Sequence, residues 1–149
     1  MKNATTTTVK NTADSHLLFA PERKIIDAES AMKMAARATD YNDSNRDARN
    51  FKFFDFNGVK FKGEDFSCIE AHYATFTDCE FIECKFSRME AYFAEFENCT
   101  FTNCDVKNAN FSFAKITDTA FFNSNLDGAD FPFADPGSSG EICGSCFCQ

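Results

Sequence analysis

The chain has 149 residues, enough for one domain with tails, and it carries 20 Phe and 3 Tyr but no Trp. Its net charge is −8, and residues 51–135 hold that acidity, with 15 Asp/Glu against 7 Lys/Arg, whereas residues 1–50 hold 7 against 8. An acidic body argues against direct nucleic-acid binding, which needs basic patches. The absence of an apolar run of about 18 residues argues against a membrane span, and a start without an apolar secretory stretch points to the cytoplasm, where thiols stay reduced.

In chain order, residues 1–22 are Thr/Asn-rich and read as a mobile arm. Within it, His16-Leu17-Leu18-Phe19 is an apolar island able to dock on a partner or on the protein's own body. Residues 23–39 read as a helix, because Ile25, Ala28, Met32 and Ala35 form one apolar stripe and Pro21 and Glu22 suit its start. A polar loop from Asp40 to Asn50 follows, so that 23–50 form a helix and loop placed to cap what comes next.

From position 51 every fifth residue is apolar through position 131, and 12 of these 17 positions are Phe. The exceptions are Ala71, Ala91, Val106, Ile116 and Leu126. Neither the helical period of 3.6 nor the strand period of 2.0 divides five. Two residues earlier the side chain is small, as at Ala74, Cys79, Cys84, Ala94, Cys99 and Cys104, and the residue between is often acidic.

Ala109-Asn110-Phe111-Ser112-Phe113 and Ala129-Asp130-Phe131-Pro132-Phe133 resemble the Ala-Asp/Asn-Leu/Phe-x-x pattern of the pentapeptide-repeat family. The resemblance implies an all-β fold, a right-handed quadrilateral β-helix in which four repeats make one 20-residue coil. Residues 51–135 would then make about four coils. Two compensated exceptions support that coil length: Ile69 with Ala71, and Met89 with Ala91, put the large residue at the small slot, and the two pairs stand 20 residues apart. A packed interior requires such exchange of volume. The predicted columns are Phe61, Phe81, Phe101 and Phe121, then Phe56, Phe76, Phe96 and Ile116, with Cys79 under Cys99 and Cys84 under Cys104. These cysteines read as small buried core residues, and Cys68 as an exposed thiol. Glu64 falls in an inward slot, which predicts an irregular first coil or a partner from the preceding helix.

Residues 136–149 change character. Pro136-Gly137-Ser138-Ser139-Gly140 is flexible-linker chemistry, and Cys143, Cys146 and Cys148 follow in a Cys-rich tail. Three thiolates in a short tail suit a soft metal ion, or Zn²⁺ with a fourth ligand from elsewhere; the body needs no cofactor. The layout also resembles that of a ribosomally made peptide precursor, whose terminal Cys or Ser residues are changed by a peptide-modifying enzyme.

The chain has no phosphate loop, no His-x-x-x-His metal pair and no nucleophile elbow, so it reads as a non-enzymatic scaffold displaying its tail. Two other readings compete. The family resemblance implies an acidic DNA mimic that binds and protects a type II topoisomerase such as gyrase, and the plainest alternative is a general protein-interaction module. The partner is a protein in each case. The resemblance further implies a monomer, or a dimer through the C-terminal coil.

Overall fold

The computed structural model describes residues 23–38, 49–135 and the backbone of 143–144. The arm, the 39–48 loop, the 136–142 linker and Cys146 and Cys148 lie outside the described residues.

Two elements precede the repeats: strand β1 (Lys24–Ile26) and helix α1 (Ala28–Ala38). Each turn of the repeat block then contributes a pair of short strands. These are β2 (Phe54–Asn57) and β3 (Lys60–Lys62), β4 (Thr75–Thr77) and β5 (Glu80–Ile82), β6 (Glu95–Glu97) and β7 (Thr100–Thr102), and β8 (Lys115–Thr117) and β9 (Ala120–Phe122). A last short strand, β10, is Cys143–Gly144.

The strands stack as two parallel sheets, ordered β1-β2-β4-β6-β8 and β10-β9-β7-β5-β3. The register is 20 residues: Phe56, Phe76, Phe96 and Ile116 face one another, as do Phe61, Phe81, Phe101 and Phe121. Isolated parallel bridges such as Glu70 to Glu90 and Asp65 to Lys85 build the other two faces at the same spacing. The body is a four-sided β-solenoid. The repeat strands make four rungs in each sheet, three 20-residue turns from first to last and so slightly fewer than four full coils, while the bridges from Asn50 to Asp130 carry one face to a fifth rung.

The five-residue period has a backbone cause. Positions 53, 58, 63 and every fifth residue onward to 133 have positive φ, so each repeat ends in a left-handed corner that turns the chain onto the next face. The acid of the repeat has a cause too. On the two bridged faces, Asp65, Asp105, Asn110 and Asn125 accept a hydrogen bond from the backbone N–H two residues on, at 2.9–3.3 Å. These short local turns satisfy an N–H that the rung-to-rung ladder leaves over.

The core is the stack of inward residues. Phe61, Phe81, Phe101 and Phe121 are at most 1% exposed, with centroid spacings of 4.5–5.2 Å between successive rings. Phe76 and Phe96 continue the neighbouring column at 4.9 Å. Ile69, Ala71, Met89 and Ala91 are all buried, with the exchanged volumes one turn apart. Cys79, Cys84, Cys99 and Cys104 are buried and free. Their thiols donate to backbone carbonyls, as Cys99 Sγ does to Phe76 O at 3.2 Å and Cys104 Sγ to Phe81 O at 3.4 Å. Thr119 and Ser124 make the same bonds one turn later. In these two columns Cys, Ser and Thr supply a small side chain with a donor, whereas Val59 and, in the other two columns, the alanines fill the slot without one.

Three sequence expectations are corrected. Residues 24–26 are strand, pairing with β2 so that Ile26 stands over Phe56, and the helix begins only at Ala28. Asp27 caps it, accepting from Ser30 N at 2.8 Å. The buried face is accordingly Ala31 and Ala35, with Met32 and Met34 packed against the core, while Ile25 is 67% exposed because strand alternation turns it outward. At Glu64 the coil is regular, since Lys85 N donates to Glu64 O at 2.9 Å. The carboxyl has no described ion pair with the helix, and partial burial raises its pKa. Finally, Cys143–Gly144 is part of the body: its backbone pairs in parallel with Ala120 and Phe121 of β9. An end strand has unpaired backbone groups that a passing extended segment can take up.

Candidate functional site

One corner of the solenoid differs from the rest. Of the 17 left-handed positions, nine are Gly, Asn or Asp, the residues that tolerate positive φ best. Five more belong to a single column: Phe53, Tyr73, Phe93, Phe113 and Phe133, with φ of 55–62°. Every rung places a bulky aromatic ring where the backbone disfavours one, at a cost of order 1 kcal/mol each. The rings stack in order, with centroids 5.2, 5.2, 5.0 and 5.0 Å apart and planes within 13° of parallel. They point outward: Tyr73, Phe93 and Phe113 are 43–47% exposed and Phe133 is 80% exposed.

Beside this ridge lies a second column. Lys52, His72 and Tyr92 line, with Tyr73 and Phe93, an open depression of about 390 Å³. Each is tied to the rung above. Lys52 pairs with Glu70, His72 Nε2 lies 3.5 Å from Glu90, and Asn110 Nδ2 donates to the Tyr92 hydroxyl at 2.8 Å. His72 Nδ1 is buried and has no hydrogen-bond partner among the described residues. Burial, then the Lys52 charge, lower the His72 pKa from its ordinary 6.5, against the opposing pull of Glu90 and Glu70. The hydrogen bond from Lys52 holds the Glu70 carboxyl below its ordinary range.

The face positions beside the ridge are the more acidic, although the other corners add Asp78, Glu83 and Asp118 against Arg88. On the face leading into the ridge, the outward repeat positions carry three carboxylates (Glu70, Glu90, Asp130) and one lysine, Lys52. On the face leading away they carry four (Asp55, Glu95, Glu97, Asp135) and one, Lys115. The remaining two faces, counted the same way, hold four carboxylates and four lysines. Arg23 of β1 ion-pairs with Asp55 at 2.7 Å and hydrogen-bonds to Thr75, at the first rung of this edge.

The sequence-derived candidates fall elsewhere. The core Phe and Cys residues are interior and present nothing to a ligand. The Cys79 thiol, then burial, push the Cys99 thiol far above the ordinary range, and Cys84 and burial do the same to Cys104, so both stay protonated. Cys68 is half-buried at a corner. Of the tail, only the Cys143 backbone is described. No group of three potential metal ligands occurs among the described residues. The aromatic ridge was within reach of the same arithmetic that found the interior columns. Stepping by 20 from Phe53 gives five aromatics in a row, and no other outward column does so.

A stacked, four-sided parallel solenoid with an aromatic core defines a class of repeat scaffold whose interior has no room for substrate. Residues 74–138 match the family model described as a pentapeptide repeat region. The match covers 65 of the 149 residues, and over them the chain resembles the pentapeptide-repeat family. Among solved structures it resembles HetL, a pentapeptide repeat protein involved in heterocyst differentiation regulation from the cyanobacterium Nostoc sp. strain PCC 7120. That match has 18% identity and a TM-score of 0.54, and covers 58% of this chain and 42% of that one. It also matches a trypsin-treated form of QnrB1, a plasmid-mediated fluoroquinolone resistance protein, at 27% identity and a TM-score of 0.47, over the same shares. The chain thus spans well under half the length of either. No curated protein matches it. Among the described residues no helix is long and apolar enough to cross a membrane.

Proposed function

We propose that this protein is a non-catalytic interaction scaffold that engages a protein partner along the aromatic ridge. The observation that carries this reading is the column Phe53-Tyr73-Phe93-Phe113-Phe133: five aromatics, four exposed and Phe53 partly buried, all at positive φ, in a solenoid whose other corners mostly use residues suited to that conformation. Strained positions that share one surface point to a use for that surface. Replacing Tyr73, Phe93 and Phe113 together by Asn tests it, because Asn already serves at Asn98, Asn103 and Asn123. A bound protein retained by the native chain and by a Phe122→Ser control on another face should be lost from the triple variant. Equal retention by all three would remove the reading.

A second reading keeps function at the tail. It is supported by the pairing of Cys143–Gly144 with β9, which anchors the Cys-x-x-Cys-x-Cys segment to the end of a rigid body. Such a tail would be a substrate for a thiol-modifying enzyme or a soft-metal ligand. Intact mass after co-expression with neighbouring genes, and Cu(I) or Zn²⁺ titration, test it; three unmodified thiols that bind no metal would end it. In a third reading the same carboxylates let the rod stand in for DNA on a type II topoisomerase, in the cytoplasm. A gyrase supercoiling assay decides that one, and the near-neutral pair of faces gives it less support than an evenly acidic rod would.

A further inference from the structure

The ridge geometry points to a specific occupant: we infer that it takes a basic amphipathic helix of a partner protein, lying parallel to the solenoid axis. This rests on the interaction-scaffold reading and adds the chemistry of the partner.

The column offers the edges of its rings. Because the rings stack on one another at 5.0–5.2 Å, their faces are covered along the column and their edges point out; only the terminal rings, Phe53 and Phe133, have an unstacked face. Flat ligands that stack on ring faces, such as sugars or nucleobases, have nowhere to sit along the column. Cations likewise lack the ring face that attracts them. Ring edges are hydrocarbon surface with a slight positive bias, and they suit aliphatic side chains.

The rung spacing suits a helix. A helix places one apolar residue per turn of about 5.4 Å on a given stripe. Against rungs of 5.0–5.2 Å the two stay in step along the whole ridge, drifting only by about 1 Å over its four intervals. An extended strand repeats a face about every 6.8 Å, and a polyproline helix about every 9.3 Å. The strand falls out of register within two rungs, and the polyproline helix meets only every second rung and slips by about 1 Å each time. Five rings match about 14 residues of helix. The depression beside Tyr73 and Phe93 gives its apolar side chains a place to seat.

The charge beside the ridge suits a basic partner. The two faces flanking the ridge carry seven carboxylates against two lysines in their repeat positions, with Arg23 on Asp55, while the opposite faces hold four of each and the other corners add Asp78, Glu83 and Asp118 against Arg88. Glu95 and Glu97 take no part in the described ion pairs, although Lys115 is the register neighbour of Glu95. Lysines and arginines flanking an apolar stripe would reach these carboxylates on either side. The same repulsive charge disfavours a second copy of this chain as the occupant.

The test uses the full chain and three synthetic 15-residue helical peptides of one pattern: Leu/Lys, Leu/Glu and Gln/Lys. Binding is read by fluorescence anisotropy at two salt concentrations. Expected is binding of Leu/Lys alone. Its affinity should fall at least 10-fold in the Tyr73→Asn/Phe93→Asn/Phe113→Asn variant and about 3- to 10-fold in a Glu95→Gln/Glu97→Gln variant that leaves the rings in place. Circular dichroism confirms that each variant is folded. Equal binding of Leu/Lys and Leu/Glu, with loss in the ring variant, would overturn the basic-helix inference and leave the interaction ridge standing. Equal binding of Leu/Lys and Gln/Lys, indifferent to the ring variant, would overturn both. Failure of every peptide to bind would overturn the inference alone, with the retention experiment still deciding the ridge.

Discussion

Phe93 and Phe113 stand 20 residues apart with ring centroids 5.0 Å apart and planes 12° from parallel, both nearly half exposed and both at positive φ. Phe81 and Phe101, also 20 residues apart, stack at 4.6 Å but are buried. The chain thus uses one stacking geometry twice, once to fill a core and once on its surface.

Those two uses differ in energy. Phe81→Ala should cost about 3–5 kcal/mol of unfolding free energy, the range for a buried aromatic truncated in a close-packed interior. Phe93→Asn should cost no more than about 2 kcal/mol. It loses stacking worth about 0.5–1.5 kcal/mol per neighbour but relieves an unfavourable left-handed aromatic. Urea denaturation of the two variants checks the contrast; comparable losses would make the ridge part of the folding core.

The exchanged volumes at Met89 and Ala91 make a coupled prediction. Met89→Ala should destabilise by about 2–5 kcal/mol and Ala91→Phe by about 1–3 kcal/mol. The double variant should be better than the sum of the two by more than about 1 kcal/mol, because it restores the arrangement found at Cys79 and Phe81. Additive losses would contradict the inward placement of both side chains.

His72 sets a pH dependence. Its folded pKa lies below 6.5, so between the two values the unfolded chain binds more protons than the native one. Stability should be fully present above pH 6.5 and decline as pH falls through 6.5 toward the folded value. Glu70, whose carboxyl pKa is lowered, adds a second loss at pH values below its ordinary 4.5, and Glu64, whose pKa is raised, acts in the opposite direction near and above 4.5. Imidazole NMR titration should give a His72 midpoint below 6.5, and His72→Gln should flatten the upper part of the stability profile. A midpoint above 6.5 would show that Glu90 outweighs burial.

The fold was readable because its cause is repetitive. One inward Phe per five residues, and the Ile69/Ala71 against Met89/Ala91 exchange, are packing constraints written at a fixed period. The start of the helix was not readable: Ile25 and Ala28 share the stripe spacing by chance, whereas pairing of β1 with β2 decides the local structure. Anchoring of Cys143–Gly144 on β9 is a backbone event, and the side chains of a Gly/Ser/Cys segment do not announce it. The ridge was hidden for a different reason. Its aromatics are the same residue types as the core, so composition alone does not separate outward rings from inward ones; only the column position, two residues beyond the inward slot, does so.

The central claim is that the outward ring column is where a partner sits. Placing a photo-crosslinking amino acid at Phe93, with a second chain carrying it at Phe122 on another face, tests this most directly in cells that normally make the protein. The account predicts a discrete crosslinked protein from position 93 and none from position 122. No adduct at 93, or the same adducts at both positions, would contradict it.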